Sequence, residues 1–569
     1  MKKKLFSLLI VGLLSLTLVL SACGGDDTGL VDGDTYLLTI YRARDAGMTD
    51  GDRDEAVKKA IEEKFAQDTG IKISLEVMMY TNEAICDMVD VNFNNKSKNM
   101  EAIVHYLSED AGSAITKYAK DATAVKDLQP LLEEYGPNIL AKISENDTDH
   151  LADRAGWFNY DGTYYRTALT SYIKEGGFGI LVRKDLMRQV KATTGIDPED
   201  YDITNENHKN MTLSQFETVM RAIKEQTSVT TPVNGKPWDL GRVFATSFGV
   251  DTLNWGFDED GNFVPSQFTE NWDKYVDLMY TWSRDGIWES ESNTTTDDQR
   301  VTNLIAGKCA AYIAYPTAEQ LIAVAKRFYA ANPTQELMVL APFASEDESG
   351  NVLVDDEGQP VVNGNLKTPR GNFGMVVPYR AKNTEILIQF MNWVYASKDN
   401  YELCLYGVKG VDWVEGDPVT YNGVTYETWA YPADKSDEYL INPPYTGKYL
   451  FLQNINMSNR ICAHYSTVEK KWYTSLYFDY PAFSHTETEG IWIPEAPRSL
   501  ATQAATVDGE YVDNIRSYAW VGKTNAGKTP TELLAEYVTD IRSSCADYLS
   551  YVSQSYKDAQ KFFEQKYAD

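Results

Sequence analysis

The 569-residue chain is short of most features that announce a chemical mechanism. Its five histidines (His105, His150, His208, His464, His485) are dispersed along the chain. Its six cysteines (Cys23, Cys86, Cys309, Cys404, Cys462, Cys545) are too far apart for a metal knuckle or a CxxC redox pair. No resident metal or other cofactor is therefore expected. The chain has neither a GxSxG elbow nor an HExxH helix, which removes common signatures of serine hydrolases and zinc peptidases. Positive charge is also scarce. With 53 Lys and Arg against 83 Asp and Glu, the formal net charge is −30, a field that repels nucleic acid and anionic lipid. Beyond the first stretch, no apolar run is long enough to cross a bilayer.

That first stretch is informative. Lys2, Lys3 and Lys4 precede an apolar run from Leu5 to Leu20, and Leu20-Ser21-Ala22-Cys23 resembles the lipobox cut by bacterial lipoprotein signal peptidase. The run is short for a membrane span, which takes about 20 residues. Residues 1–22 therefore read as a lipoprotein signal peptide. Cys23 is the expected site of lipidation by diacylglycerol and an acyl chain such as palmitate, because stable anchoring takes more than one chain. Residues 23–34, with Gly24, Gly25, Asp26 and Asp27, read as a flexible tether. Gly24 after the cysteine carries no inner-membrane retention signal.

The remainder is rich enough in apolar residues, 43%, to bury a large core and divide into lobes. Residues 36–41 read as a buried strand; Ala56, Val57, Ala60, Ile61 and Phe65 recur at helical spacing; Ile71, Ile73, Leu75 and Val77 alternate with period two. A further strand is expected at 102–107. This βαβ opening predicts a mostly parallel sheet that binds ligand beyond the carboxyl ends of its strands. A second block begins after Asp161-Gly162, with a strand at 178–183 entering a helix at Lys184. Thr212 and Gln215 form a capping box for a helix burying Leu213, Phe216, Val219, Met220 and Ile223. Residues 345–362 read as a surface loop or hairpin, 373–378 as a strand, and the chain after Pro530 as one long helix capped by Thr529 and Glu532.

Two motifs fail on context. Residues 522–529 satisfy GxxxxGK[ST], yet too little chain follows for the strands of a nucleotide fold, and the capping box accounts for Thr529 and Pro530. The acidic run 258–262 has Gly256 and Gln267 where an EF-hand loop needs acids, so Asp260-Gly261 reads as a hairpin turn. With 83 acidic residues some close carboxylate pair is inevitable, so such pairs say nothing about glycosidase chemistry. The 37 tyrosines and 12 tryptophans point to sugar, since flat aromatic faces stack on pyranose rings while polar groups take the hydroxyls.

Taken in order, several stretches resemble the extracellular solute-binding lipoproteins of ABC importers, the long carbohydrate type of Gram-positive bacteria. They are the lipobox, Leu131-Leu132-Glu133-Glu134-Tyr135-Gly136-Pro137-Asn138, Leu181-Val182-Arg183-Lys184-Asp185-Leu186, Ala306-Gly307-Lys308-Cys309-Ala310-Ala311-Tyr312 and Tyr406-Gly407-Val408-Lys409-Gly410-Val411-Asp412-Trp413. The resemblance implies an α/β, two-lobe, periplasmic-binding-protein-like fold of type II that closes on ligand between the lobes. Lobe one would be 35–168 plus 342–405, and lobe two 169–341 plus 406–569, with crossings near 168–172, 340–343 and 406–413. Ligand would meet Tyr41, Arg42, Tyr80, Tyr106 and Glu109 from lobe one, and Tyr172, Trp255, Tyr315 and Trp413 from the hinge and lobe two. The implied protein is not an enzyme but a monomeric binder at the outer face of the cytoplasmic membrane. It captures a carbohydrate or oligosaccharide, hands it to permease subunits, and touches the membrane only through its lipid. A surface-anchored enzyme acting on glycans and a ligand-presenting sensor lipoprotein are the alternatives.

Overall fold

The opening segment folds as its hydrophobic pattern dictates. Thr35–Ala43 is a strand, and the helix Asp54–Thr69 then buries Val57, Ile61 and Phe65. Gly70, at φ 78°, ends that helix with its N–H bonded to the Ala66 carbonyl. The chain returns in the strand Lys72–Tyr80, whose residues 73 and 75 are buried. In this computed structural model the described residues are 29–44, 48–94, 100–106, 118–145, 150–160, 162–172, 179–236, 241–248, 255–257, 260–289, 294–313, 318–347, 349–362, 373–480, 497, 499–500, 502–503, 505–506 and 515–568. Residues 1–22, expected to be a signal peptide, and Cys23 lie outside them. Among the described residues, no helix is long and apolar enough to cross a membrane.

The chain forms two compact units, Met1–Tyr172 with Gly371–Ala463, and Ile173–Arg370 with His464–Asp569. In the first, Lys72–Tyr80, Thr35–Ala43 and Ala102–Tyr106 lie side by side and parallel. Phe373–Val376 pairs antiparallel with Ala102–Tyr106, and Ala168–Thr170 antiparallel with Phe373–Val376. The sheet is thus mixed rather than mostly parallel, because its last two strands arrive from distant sequence and not through βαβ crossovers. In the second unit Leu337–Leu340, Ile180–Arg183, Ala311–Ile313 and Val233–Gly235 form the sheet. Here a single adjacent pair among the described strands, Ala311–Ile313 with Val233–Gly235, is parallel.

The unit boundaries depart from the expected crossings at two places. Residues 342–362 stay with the second unit: Asn210 donates to the Pro342 carbonyl (2.8 Å), the Ala344 N–H to the Met211 carbonyl (2.9 Å), and the Phe343 ring lies 5.2 Å from Phe216. Residues 406–463 belong to the first unit, not the second. The 406–413 segment is a tight loop in which Gly410 N–H meets the Trp413 carbonyl (2.6 Å) and Asp412 accepts from Arg53 (2.8 Å) and from the Val408 N–H (2.8 Å). Gly407, at φ +88°, is required there, since an added Cβ would stand 2.8 Å from the Asp412 carboxylate.

Locally determined features form as expected. Thr212 and Gln215 close a capping box on Leu213–Gln226, and the strands Trp255–Phe257 and Phe263–Pro265 form a hairpin across Asp260-Gly261. The final segment is two helices rather than one, Pro530–Ser544 and Ala546–Lys566. Ser544 folds its hydroxyl back onto the Asp540 carbonyl (2.7 Å), and Cys545 takes a non-helical conformation (φ −112°, ψ 18°). The GxxxxGK[ST] segment is a reverse turn. Ala526 and Gly527 have φ of 50° and 83°, the Asn525 and Lys528 main chains bond to each other (3.0 and 2.9 Å), Lys528 pairs with Glu536, and Thr529 caps the helix. Gly522 serves packing, since an added Cβ would lie 2.6 Å from the Arg284 backbone nitrogen.

Candidate functional site

In the first unit the strands Thr35–Ala43, Lys72–Tyr80 and Ala102–Tyr106 run in register, so their carboxyl ends lie along one edge of the sheet. Phe373–Val376 begins opposite Tyr106, and Ala168–Thr170 ends opposite Gly374, at the same edge. Tyr41 pairs with Met78, and Ala43 with Tyr80, which puts both tyrosines on one face. Their rings stack with centroids 5.6 Å apart and planes 7° from parallel. Both are half-buried. Burial, reinforced by Tyr41, pushes the Tyr80 phenol up to about 12, so it remains a hydrogen-bond donor at any physiological pH. The pair is a stacked, partly accessible aromatic surface, a form suited to the apolar face of a sugar ring.

The strand Ala102–Tyr106 makes stability depend on pH. His105 is 3% exposed, and burial pushes its imidazole down from 6.5 to about 4. The unfolded chain takes up the proton near the ordinary value while the folded chain resists it. This contribution is thus fully present above the unfolded value and is lost as pH falls towards the folded one, by up to about 3 kcal/mol. Urea titrations between neutral and mildly acidic pH should show that decline, and His105→Leu should flatten it.

The second unit presents a different surface. The strands Val233–Gly235, Ala311–Ile313 and Leu337–Leu340 end together, beside the start of Ile180–Arg183. A π-turn, Ser475–Asp479, follows the helix Thr467–Thr474 and closes with an i→i+5 bond from the Tyr480 N–H to the Ser475 carbonyl (3.0 Å). It is seated at these strand ends through Leu476, whose tip would be 3.0 Å from a Cβ on Gly179. Neighbouring side chains hold its tyrosine hydroxyls. The Tyr477 hydroxyl donates to Glu319 (3.1 Å), in the first turn of Ala318–Ala331, and the Tyr477 ring stacks on Tyr473 at 4.4 Å. The Tyr480 hydroxyl meets His208 Nε2 (2.7 Å) and Asn210 (3.4 Å). Among the described residues, no cluster of His, Cys, Asp and Glu could hold a metal ion.

No family model matches the chain, and no curated protein matches it. Solved structures do. The N-glycan transport solute binding protein NgtS of Streptococcus pneumoniae matches at a TM-score of 0.58, with 12% identity, over 92% of this chain and 99% of that one. The alginate-binding protein AlgQ2, solved without calcium ion, matches at 0.59 with 15% identity, over 94% and 100%. A solute binding protein from Bifidobacterium longum infantis, described as HMO-binding and ABC-transporter associated, matches at 0.59 with 13% identity, over 93% and 99%. The chain has the fold of the ABC-transporter solute-binding proteins. The α/β solute-binding-protein fold expected from the sequence is thereby borne out.

Within the solute-binding-protein fold, the residues singled out from sequence separate into distinct groups. Tyr41 and Tyr80 come together, and the backbone of Tyr106 reaches the same sheet edge. The side chains of Tyr106 and Trp255, and the whole of Glu109 and Tyr315, lie outside the described residues. Arg42, Tyr172 and Trp413 are core residues, which corrects their expected contact with ligand. Arg42 is 1% exposed, and its Nη1 donates to the carbonyls of Gly447 (3.2 Å), Lys448 (3.1 Å) and Leu450 (2.5 Å). Tyr172 is 6% exposed and its backbone pairs with residues 453 and 455. Trp413, 2% exposed, donates from its indole to the Gly407 carbonyl (3.1 Å) and lies beneath the Arg460 guanidinium (5.2 Å). The strand-end position of Tyr41 was legible, but the parity that points Arg42 the other way sends it into the core. The polar cluster at the π-turn, formed by Tyr477, Tyr480, His208, Glu319 and the buried Asn210, escaped sequence reading. Its only local signal is the aromatic density of residues 472–480 behind the Ser466–Glu469 capping box.

Proposed function

We propose that this protein captures a carbohydrate, most specifically an oligosaccharide, outside the cytoplasm and delivers it to the permease of an ABC transporter. The observation that carries this reading is the stacked, half-buried Tyr41–Tyr80 pair at the carboxyl ends of parallel strands, within a solute-binding-protein fold. Strand ends in open α/β sheets are where ligands bind, and a stacked tyrosine pair suits sugar better than it suits an amino acid or an ion. The mechanism is capture without turnover.

The test is thermal stabilisation of the full chain by mono- and oligosaccharides, with mass spectrometry of the recovered ligand. A sugar at about 100 times its Kd should add about 2.7 kcal/mol to stability and be recovered unchanged. A hydrolysed or otherwise altered sugar would sink the binder reading. Tyr41→Ala and Tyr80→Ala should each weaken the hit by about 0.5–1.5 kcal/mol beyond lost contact area, roughly twofold to twelvefold in Kd. Unchanged affinity in both removes the pair from the site.

The same reading places the protein on the outer face of the cytoplasmic membrane through lipid on Cys23. Cys23→Ala should move it from the membrane fraction to the soluble fraction, since a protein without its acyl chains loses the anchor.

A further inference from the structure

We infer that the turn Pro378–Ala381 is a membrane-contact surface, where Tyr379 and Arg380 rest on the headgroups of an anionic bilayer once lipid on Cys23 holds the chain there. The inference rests on the lipid-anchor reading and adds the face that meets the bilayer. Residues 24–28 alone separate Cys23 from Gly29, so the two lie at most about 22 Å apart at full extension. Gly29 is clamped to the first unit. Its carbonyl accepts from the Leu37 N–H (3.0 Å) and from Asn383 Nδ2 (2.7 Å), and at φ +71° an added Cβ would stand 2.8 Å from the Asn383 side-chain oxygen. Asn383 also donates to the Leu37 carbonyl (2.8 Å), while Glu101, 3% exposed, accepts from the Asn383 N–H (2.9 Å). The connection to Cys23 therefore leaves the unit at a fixed point.

The turn stands beside that point, since the four-residue step from Tyr379 to Asn383 spans at most about 14 Å. It is built to hold its shape. The Ala381 N–H closes it on the Pro378 carbonyl (2.9 Å), the Tyr379 N–H donates to the Ala124 carbonyl (2.8 Å), and Lys126 Nζ donates to the Ala381 carbonyl (2.6 Å). At its corner Tyr379 is 63% exposed, more than any other large apolar side chain described, and Val31, two residues beyond Gly29, is 56% exposed. Arg380 is exposed and joins no ion pair among the described residues. A tyrosine ring, apolar at one end and wet at the other, settles at headgroup level, and a guanidinium fits phosphate. The net charge of −30 opposes approach to such a surface, but salt screens it beyond about 8–10 Å and the anchor supplies proximity. The sugar edge stays clear of lipid. Tyr41, and Ala43 opposite Tyr80, follow Leu37 by four and six residues, so the tyrosine pair sits about 13–20 Å further along the strand.

The experiment is photocrosslinking of the full chain, purified from bacterial membranes in detergent and returned to vesicles of phosphatidylcholine and phosphatidylglycerol in equal parts. The vesicles carry a phospholipid with a diazirine headgroup, and the adducts are mapped by mass spectrometry of peptides. Peptides covering 376–384 should carry adducts at least about fivefold above the exposed hairpin 414–430 of the same unit, the enrichment one basic residue gives near an anionic surface. The double variant Tyr379→Ser, Arg380→Ser should lose that enrichment with an unchanged urea midpoint, because exposed turn side chains carry little stability. Arg380→Ser alone should lower the adducts with phosphatidylglycerol present and leave them unchanged in pure phosphatidylcholine; an equal drop in both overturns the pairing of Arg380 with anionic headgroups. The Cys23 peptide in the same digest separates the two readings. Adducts spread evenly, with diacylglycerol found on Cys23, overturn the contact surface and leave the anchor standing. A Cys23 peptide without lipid overturns the anchor reading and this inference with it. Adducts at 376–384 in native membranes but not in these vesicles would hand the turn to a protein partner and overturn the lipid assignment.

Discussion

Replacing Arg42 with methionine should cost the protein about 2–4 kcal/mol of stability while leaving the sugar affinity of the folded fraction within about twofold. The reason is the position of this side chain. It lies on the strand Thr35–Ala43 beside Tyr41, yet its alternation parity sends it inward, where Nη1 serves the carbonyls of residues 447, 448 and 450. Methionine preserves much of the volume but donates nothing, so it leaves buried carbonyls without that donor, each at about 1–3 kcal/mol. The Gly447 carbonyl keeps a second donor, the Leu450 N–H at 3.1 Å, which holds the total below a simple sum. The guanidinium also lies 6.0 Å from the Phe373 ring, a further contact that methionine replaces only in part.

The loss should be local before it is global. The segment that Arg42 holds is bonded along its length: Arg53 N–H to the Pro444 carbonyl (3.0 Å), Thr446 hydroxyl to the Thr49 carbonyl (2.8 Å), and Ile455 N–H to the Tyr172 carbonyl (2.8 Å). Hydrogen exchange of peptides covering 444–455 should therefore accelerate in Arg42→Met ahead of the helix Leu213–Gln226 in the other unit. A variant with unchanged exchange but lost sugar binding would return Arg42 to the ligand site.

Arg42 also shows what a chain of letters conceals. Tyr41 and Arg42 are neighbours at a strand end, and both residue types bind sugars. Only the partner at residue 447 and beyond, some 400 positions away, separates the two roles, since one of the bonds spans 405 residues. The same holds for residues 406–413. Their glycines, Asp412 and Trp413 read as a crossing with a ligand-stacking tryptophan, but Asp412 answers to Arg53 across 359 residues and Trp413 to Arg460. Capping boxes at Thr212 and Thr529 were legible because a cap is decided within four residues. The break at Cys545 and the π-turn at 475–479 were not, because both depart from regular helix at positions where helix propensity alone allows it to continue. Helices and strands follow from periodicity. The faces that bind ligand follow from long-range partners.

The second large effect concerns the buried pair that fastens the hairpin Val414–Tyr421 and Val424–Ala430 to the rest of its unit. Arg460 and Glu402, with side chains 5% and 4% exposed, meet at 2.6 Å through Nε, with a second, longer contact through Nη2 (3.4 Å). Arg460 reaches further, to the Thr428 carbonyl (3.2 Å) and to Glu415 (3.2 Å), and covers the Trp413 ring. Glu402 has less to fall back on: the Ser458 hydroxyl at 2.9 Å and Lys398 at 3.8 Å. Arg460→Met should therefore destabilise by about 3–5 kcal/mol, since it strands a carboxylate in a buried site. Glu402→Met should cost less, because the guanidinium keeps a carbonyl and the outer carboxylates, although those are exposed and individually weak.

The double replacement should recover most of the loss. Two methionines desolvate no charge, and a packed apolar pair is often as stable as the ion pair it replaces. Chemical unfolding of the four proteins, with hydrogen exchange of the 414–430 hairpin as the local readout, measures the coupling directly. A double variant as unstable as Arg460→Met would mean that the bonds to Thr428 and the contact with Trp413, rather than the carboxylate, hold the hairpin. Recovery would leave the pair with a different role, that of fixing the register of a hairpin whose own strands are half exposed and whose pairing slips between Gly416 and Val419.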